Sequence, residues 1–207
     1  MITLLKQGIE KIMELFYNDK NIALHLREIS RQTKLHGPSV TNFLNILEKN
    51  KILKSKKDGN LKKYSINKSN FTYLIFEIFD IEKFEKLPSI RKNAIKVYLD
   101  NLPEKPIFTI LFGSTAKENF KKDSDIDILI ITNKKISVEK SEKEVNQLTS
   151  MSISTFQITY EKFLTELKIK EDNVIQSAIT SGYPLINHIQ YYEVLYNERI
   201  WSSKINK

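Results

Sequence analysis

The chain has 207 residues, 41% of them hydrophobic and 28% charged, enough to bury a substantial core in one or two domains. It contains no cysteine, which excludes disulfides and thiolate zinc sites, and its three histidines, His25, His36 and His188, are too scattered to suggest a metal cluster. No apolar run approaches the ~20 residues of a membrane span, and Met1 to Lys6 lack the charged start and long apolar centre of a signal peptide, so a cytoplasmic protein with no membrane partner is expected.

The net charge of +8 is unevenly placed. Residues 1–70 hold 14 basic against 6 acidic side chains, whereas residues 71–207 hold 19 of each. Such asymmetry predicts a basic module that meets a polyanion, joined to a neutral module with another task.

At the start, Leu4, Leu5, Ile9, Ile12, Met13 and Phe16 recur at helical spacing and predict an amphipathic helix of about four turns. A short extended piece, residues 21–26, leads into a second helix over 27–34. His36-Gly37-Pro38 then breaks the chain, with Ser39 expected as the N-cap of a third helix. There Val40, Leu44 and Leu47, with Ile52 after them, form the core stripe and leave Ser39, Thr41, Asn42 and Asn45 on the outer side. Residues 52–66 read as two short strands around an Asp58-Gly59 turn, carrying Lys56, Lys57, Lys62 and Lys63.

Three helices followed by a basic hairpin resemble the winged helix-turn-helix domain of transcription factors, over residues 1–69. The resemblance implies duplex DNA as the partner. Small and amide side chains at Ser39, Thr41, Asn42 and Asn45 suit base edges in the major groove, and the four wing lysines suit flanking phosphates. The alternative is a helix-turn-helix used for protein interaction or dimerisation, against which the lysine-rich wing argues.

Residues 70–103 read as a helical linker, with helices at 71–79 and 87–99 joined by an acidic and basic stretch and Ser89 able to cap the second. The aromatics Phe71, Tyr73, Phe76 and Phe79 sit at helical spacing without interleaved basic residues, which suits an interdomain core or a homodimer surface better than a base-stacking platform.

Residues 104–207 hold the most informative segment. The β-branched and aromatic run 107–112 predicts a buried strand, ended by Gly113-Ser114. Glycine there lets backbone amides approach a phosphate, and the Ser114 hydroxyl can add a hydrogen bond. After a ten-residue spacer Asp125 and Asp127 head an apolar strand, where the period of two places both carboxylates on one face and turns Ile126 and Ile128 into a core. Two adjacent carboxylates repel each other unless a cation lies between them, which points to Mg²⁺ or Mn²⁺. The plain alternative is a β-turn-β with a solvated acidic strand end.

Gly113, Ser114, Ala116, Ser124, Asp125 and Asp127 together resemble the signature of the minimal nucleotidyltransferases of the DNA polymerase β-like superfamily. The resemblance implies transfer of a nucleoside monophosphate, AMP by expectation, from an NTP such as ATP to an acceptor. It implies that Asp125 and Asp127 act as catalytic metal ligands and that Gly113, Ser114 and Ser124 serve the nucleotide. Lys117, Lys121 and Lys122 occupy the spacer, where family members often carry arginines, and at least two of them read as a solvated loop.

One departure stands out. Active relatives add a third carboxylate from the next strand, expected here at 152–158, and that run contains no Asp or Glu. Ser154, Thr155 or Gln157 would take its place, and neutral oxygens are weaker metal ligands and poorer bases. Glu161 follows, but reads as a helix N-terminal acid. Helices are then expected at 160–170 and 171–181, a break at 182–187, and a packing helix from Ile189 to about Ile200 carrying Tyr191, Tyr192, Val194 and Leu195, with Trp201 after it.

The expected fold is therefore α+β: a winged helix-turn-helix, a helical linker, and a nucleotidyltransferase fold with a small mixed sheet flanked by helices. Two functions follow, a Mg²⁺-dependent nucleotidyltransferase or a DNA-binding regulator whose nucleotidyltransferase domain senses a nucleotide with little catalysis. An antitoxin-like protein that pairs with a helical toxin as acceptor is a third, by analogy with the minimal nucleotidyltransferases.

Overall fold

The computed structural model describes residues 5–198; the expected contributions of Leu4, Ile200 and Trp201 lie outside the described residues. The chain divides into two units, one of residues up to 79 together with those from 195 onward, the other Asp80–Val194.

In the first unit, α1 (Gln7–Asn18) buries Ile12, Met13, Phe16 and Tyr17. It is followed by β1 (Leu24–His25) and α2 (Leu26–Thr33), whose first turn is closed by Glu28 accepting the His25 N–H at 2.7 Å. Helix α3 (Gly37–Lys49) starts earlier than the sequence suggests. Its N-cap is His36 and Pro38 lies in its first turn, so Ser39 is inside the helix and caps nothing. The physical reason is that the N–H proline lacks is one the first turn of a helix leaves unpaired in any case, so the residue read as a breaker serves as a start.

Val40, Leu44 and Leu47 are fully buried, and the ring of Phe43 lies where a side chain on Gly8 of α1 would otherwise stand. Strands β2 (Leu53–Asp58) and β3 (Leu61–Ile66) then form the hairpin. Asp58 pairs with Leu61, so the turn residues are Gly59 and Asn60, one position beyond the expected pair, with Gly59 at a φ of 59°. Strand β1 pairs antiparallel with β3, giving the sheet order β1-β3-β2. Three helices, a strand between the first two, and a hairpin that pairs with that strand make a winged helix-turn-helix.

Helix α4 (Asn70–Lys86) runs unbroken through the stretch read as a joint. Residues 80–86 contain no glycine or proline, and the break comes at Leu87-Pro88, where the residue before proline is driven out of the helical region. Of its aromatics, Tyr73, Phe76 and Phe79 are buried and Phe71 is 63% exposed. Tyr17 packs on Phe76 and Phe79 at centroid distances of 5.5 and 5.1 Å, and Tyr73 stacks on Tyr196 at 5.6 Å, so these rings build the core of the first unit. Helix α5 (Ser89–Asp100) is capped by Pro88, leaving Ser89 in its first turn and not at its cap.

The second unit is built on β4 (Phe108–Phe112), the short α6 (Gly113–Ala116), β5 (Ile126–Thr132), α7 (Glu139–Thr149), β6 (Ile153–Thr159), α8 (Tyr160–Ile169), α9 (Asn173–Ser181), β7 (Tyr183–Ile186) and, as far as Val194, α10 (His188–Asn197). The strand order is β6-β5-β4-β7. Strand β4 is antiparallel to β5 and β7, and β5 is parallel to β6 because α7 carries the chain back between them. The expected break at 182–187 is thus an edge strand, where Pro184 is tolerated because an edge leaves its missing N–H without consequence.

One sheet face presents Leu111, Ile126, Ile128 and Ile130 to Ala94, Ile95 and Tyr98 of α5 and Val145 of α7. On the other face Phe108 meets Phe163 and Tyr191 at 5.5 and 5.7 Å, and Phe112 meets Phe156 at 5.5 Å. No helix among the described residues is long and apolar enough to cross a membrane.

Candidate functional site

Gly113 and Asp127 meet where β4 ends and β5 begins. Phe112, the last residue of β4, pairs with Asp127, which places that carboxylate beside the turn. Gly113 has a φ of 67°, and a Cβ there would overlap the Asp127 carboxylate at Oδ2. Both backbone conformation and space therefore require glycine. Ser114 follows in α6, half-buried, its carbonyl accepting the Asn119 N–H at 3.1 Å.

Asp125 immediately precedes β5 and is exposed, whereas Asp127 is half-buried within it. Ile126 and Ile128 point into the core, as the alternation requires. Burial, reinforced by the charge of Asp125, holds the Asp127 carboxyl above the ordinary aspartate range. Ser124 lies in a turn: its hydroxyl oxygen accepts the Lys121 N–H at 2.9 Å and its own N–H donates to the Lys121 carbonyl at 3.1 Å. Lys117, Lys121 and Lys122 are exposed.

The parallel pairing of β5 with β6 sets Asp127 opposite Ser154, which puts the two side chains on the same face. Thr155 and Gln157 belong to the other face. Thr155 is held by the Tyr98 hydroxyl at 2.8 Å, and Gln157 accepts from the Ile136 N–H at 2.7 Å and donates to the Ile136 carbonyl at 3.0 Å. Of the three neutral residues read as standing in for a carboxylate, Ser154 alone adjoins Asp127.

Glu161 stands in the first turn of α8, beyond the opposite end of β6. Five strand residues at about 3.3 Å each already carry the chain some 16 Å from Ser154. Among the described residues no group of three or more His, Cys, Asp or Glu side chains forms a metal-binding cluster.

Sequence reasoning missed Arg91. This residue of α5 is only 2% exposed, donates to Thr115 Oγ1 at 2.8 Å and to the carbonyls of Lys121 and Ser124 at 3.0 and 2.9 Å, and lies over the Phe120 ring at 4.1 Å. The one local signal was an arginine among the otherwise apolar positions of a packing helix.

The second candidate surface is α3 with the wing. Ser39, Thr41, Asn42 and Asn45 are all exposed, although the Thr41 hydroxyl donates back to the Gly37 carbonyl at 3.0 Å. Lys56 lies opposite Lys63 and Lys57 opposite Lys62, so the four wing lysines form two like-charge pairs on opposite faces of the ribbon. Directly opposed like charges disfavour a sheet unless anions relieve them. Asp58 at 3.0 Å from Lys63 and Glu48 at 3.6 Å from Lys62 relieve part of this, and Lys63 before all else holds the Asp58 carboxyl below its usual range.

Comparison with protein families agrees with the architecture of the second unit. Residues 93–190, from within α5 into α10, match the family model for polymerase beta nucleotidyltransferases, and this part of the chain is a nucleotidyltransferase-fold domain. Among solved structures, the chain is similar to MepR, a transcription regulator of a Staphylococcus aureus multidrug efflux pump, with 18% identity, 47% of this chain and 76% of that chain covered, and a TM-score of 0.33. A zinc-responsive MarR family member, Lactococcus lactis ZitR, matches with 16% identity over 48% of this chain and 75% of that one at a TM-score of 0.31. TrmBL2, an archaeal chromatin protein, matches with 16% identity over 79% of this chain and 75% of that one at a TM-score of 0.23. No curated protein matches the sequence. The winged-helix assignment stands on the element order and strand pairing of the first unit.

Proposed function

We propose that the second unit binds a divalent metal complex of a nucleoside triphosphate, ATP by the family resemblance, and that the first unit binds duplex DNA. The observation that carries the nucleotide reading is the close approach of Asp127 to Gly113: a carboxylate is built against a turn whose glycine leaves the backbone without a side chain. Asp125 and Asp127 fit a hard cation, since one is partly desolvated and the two repel, and Mg²⁺ binds typically through one or two carboxylates with phosphate oxygens and water completing its octahedron. Mg²⁺ or Mn²⁺ held there would neutralise triphosphate charge and acidify an acceptor hydroxyl.

The protein's own part is positional. Asp127 orients one carboxylate from the start of the interior strand β5, Asp125 supplies a second from the loop, and the amides and hydroxyl of Gly113 and Ser114 would meet the phosphate oxygens. Full nucleotidyl transfer needs more than this pair. Ser154, beside Asp127, offers a neutral oxygen where active relatives carry an acid, which favours a second reading: a DNA-binding regulator that senses a nucleotide and transfers it slowly.

DNA binding draws on the exposed polar face of α3 and on the opposed lysine pairs of the wing, whose repulsion a polyphosphate would relieve. Replacing Asp125 and Asp127 together by Asn tests the nucleotide site. The double variant is expected to lose metal-dependent ATP binding while its melting profile stays cooperative, and unchanged binding would remove the proposal.

A further inference from the structure

The ten residues from Thr115 to Ser124 join the phosphate turn to the carboxylates, and they are held from outside. Their own backbone forms two separate turns. In the first, Lys117, Glu118 and Asn119 donate to the carbonyls of Gly113, Thr115 and Ser114; in the second, Ser124 donates to Lys121. Among the described residues, the hydrogen bonds that tie one turn to the other run through Arg91: Nη1 to Thr115 Oγ1 in the first, Nη2 to the carbonyls of Lys121 and Ser124 in the second. Phe120, between the two turns, lies against the guanidinium face at 4.1 Å. Thr115 is the neighbour of Ser114, and Ser124 is the neighbour of Asp125.

An arginine used only as filler would be an expensive choice. Burying a guanidinium costs several kcal/mol unless its donors are satisfied, and here the hydrogen-bond acceptors are one hydroxyl and two carbonyls, all neutral. The opposing charge comes from Asp125, which draws the Arg91 pKa upward against the lowering caused by burial. What arginine supplies that an apolar side chain or lysine does not is a rigid planar fork, able to fix several acceptors at once in one plane.

We infer that Arg91 is a positioning residue of the nucleotide site: by clamping Thr115 and Ser124 it fixes the separation of the Gly113-Ser114 turn from the Asp125/Asp127 pair. This rests on the nucleotide reading of that turn and pair. Arg91 sits on the sheet face opposite the Asp127 side chain and acts through the loop. Its loss lets the loop ends drift apart without removing any group that would meet nucleotide or metal.

The test uses the full chain with Arg91→Lys, Arg91→Gln and Thr115→Val, and combines hydrogen exchange read by mass spectrometry with calorimetry of ATP in Mg²⁺. Both Arg91 variants should exchange about tenfold faster over residues 117–125, a loss equivalent to roughly one net hydrogen bond, while β4 and the distal part of β5 keep wild-type protection. Their ATP affinity should fall about tenfold or more, and Thr115→Val, which removes a single acceptor, should weaken binding by only about threefold. Should Arg91→Gln fail to fold, Arg91→Lys and Thr115→Val carry the same comparison. An Arg91→Lys protein that matches wild type in exchange and affinity shows that charge alone suffices and overturns the inference, leaving the nucleotide reading intact. A wild-type protein that binds no ATP with Mg²⁺ overturns the nucleotide reading, and the inference falls with it.

Discussion

Asp127 and Ser154 stand opposite each other across the parallel pairing of β5 and β6, with their side chains on one sheet face. The position next to the carboxylate proposed as a metal ligand is thereby occupied by a hydroxyl. This relationship separates binding from turnover, because a serine can complete a hydration shell but neither neutralises a second cation nor takes a proton from an acceptor.

Substituting Asp or Glu for Ser154 should therefore raise metal-dependent transfer from labelled ATP above the wild-type level. The same acids at Thr155 or Gln157 should not, since these residues face the other way and hold Tyr98 and Ile136. Gains at 155 or 157 alone, measured as label incorporated into protein or nucleic acid, would contradict the strand register.

Gly113→Ala should be costly twice over. Its backbone conformation is left-handed, which costs a residue with a Cβ about 1–2 kcal/mol, and its methyl would displace the Asp127 carboxylate. A lower melting temperature with loss of ATP binding is the expected outcome. A variant that melts lower but binds ATP normally would detach the turn from the nucleotide site.

His188 gives the second unit an acid limit. Burial lowers its pKa to about 4 from 6.5, so the imidazole is neutral in the folded protein. The unfolded chain takes up this proton first as pH falls, so the contribution is complete above about pH 6.5 and is lost progressively toward pH 4. Denaturant titrations of His188→Gln should show a flatter stability profile across that window. A profile as steep as wild type would place the acid sensitivity elsewhere.

For DNA, Lys56→Ala with Lys57→Ala in the full chain should weaken binding about equally on all sequences and reduce the salt dependence by roughly two counterions. Asn42→Ala or Asn45→Ala should instead alter sequence preference, because these side chains stand exposed on α3. Fluorescence anisotropy across a salt series distinguishes the two, and a full chain with no salt-sensitive DNA binding would leave the winged helix as an interaction module.

Much of this was legible in the sequence because its signals were local. The Gly113-Ser114 turn, the alternation of Asp125, Ile126, Asp127 and Ile128, and the stripe of Val40, Leu44 and Leu47 are read within a few residues. The joint expected in α4 and the breaks expected at Pro38 and Pro184 failed for a shared reason: charge and proline were read as interruptions, whereas a charged stretch can continue a helix and proline suits a helix start or an edge strand. Helix α7 was overlooked because only Ser141 and Val145 are buried on it, too thin a stripe to mark a periodicity. Arg91 was beyond sequence reasoning, since its partners lie 24 to 33 residues away and no motif includes it.

The most direct measurement of the central claim is calorimetric titration of ATP into the wild-type full chain, once with Mg²⁺ and once with EDTA, each at neutral and at mildly acidic pH. Because burial and Asp125 hold Asp127 protonated to a higher pH than an ordinary aspartate, protons compete with the metal at this site. Binding is expected with Mg²⁺ and not with EDTA, and it should weaken as pH falls through the raised range of Asp127. Binding that is equal with EDTA, or absent with Mg²⁺ at neutral pH, would contradict the assignment of Asp125 and Asp127 as the metal ligands of a nucleotide site.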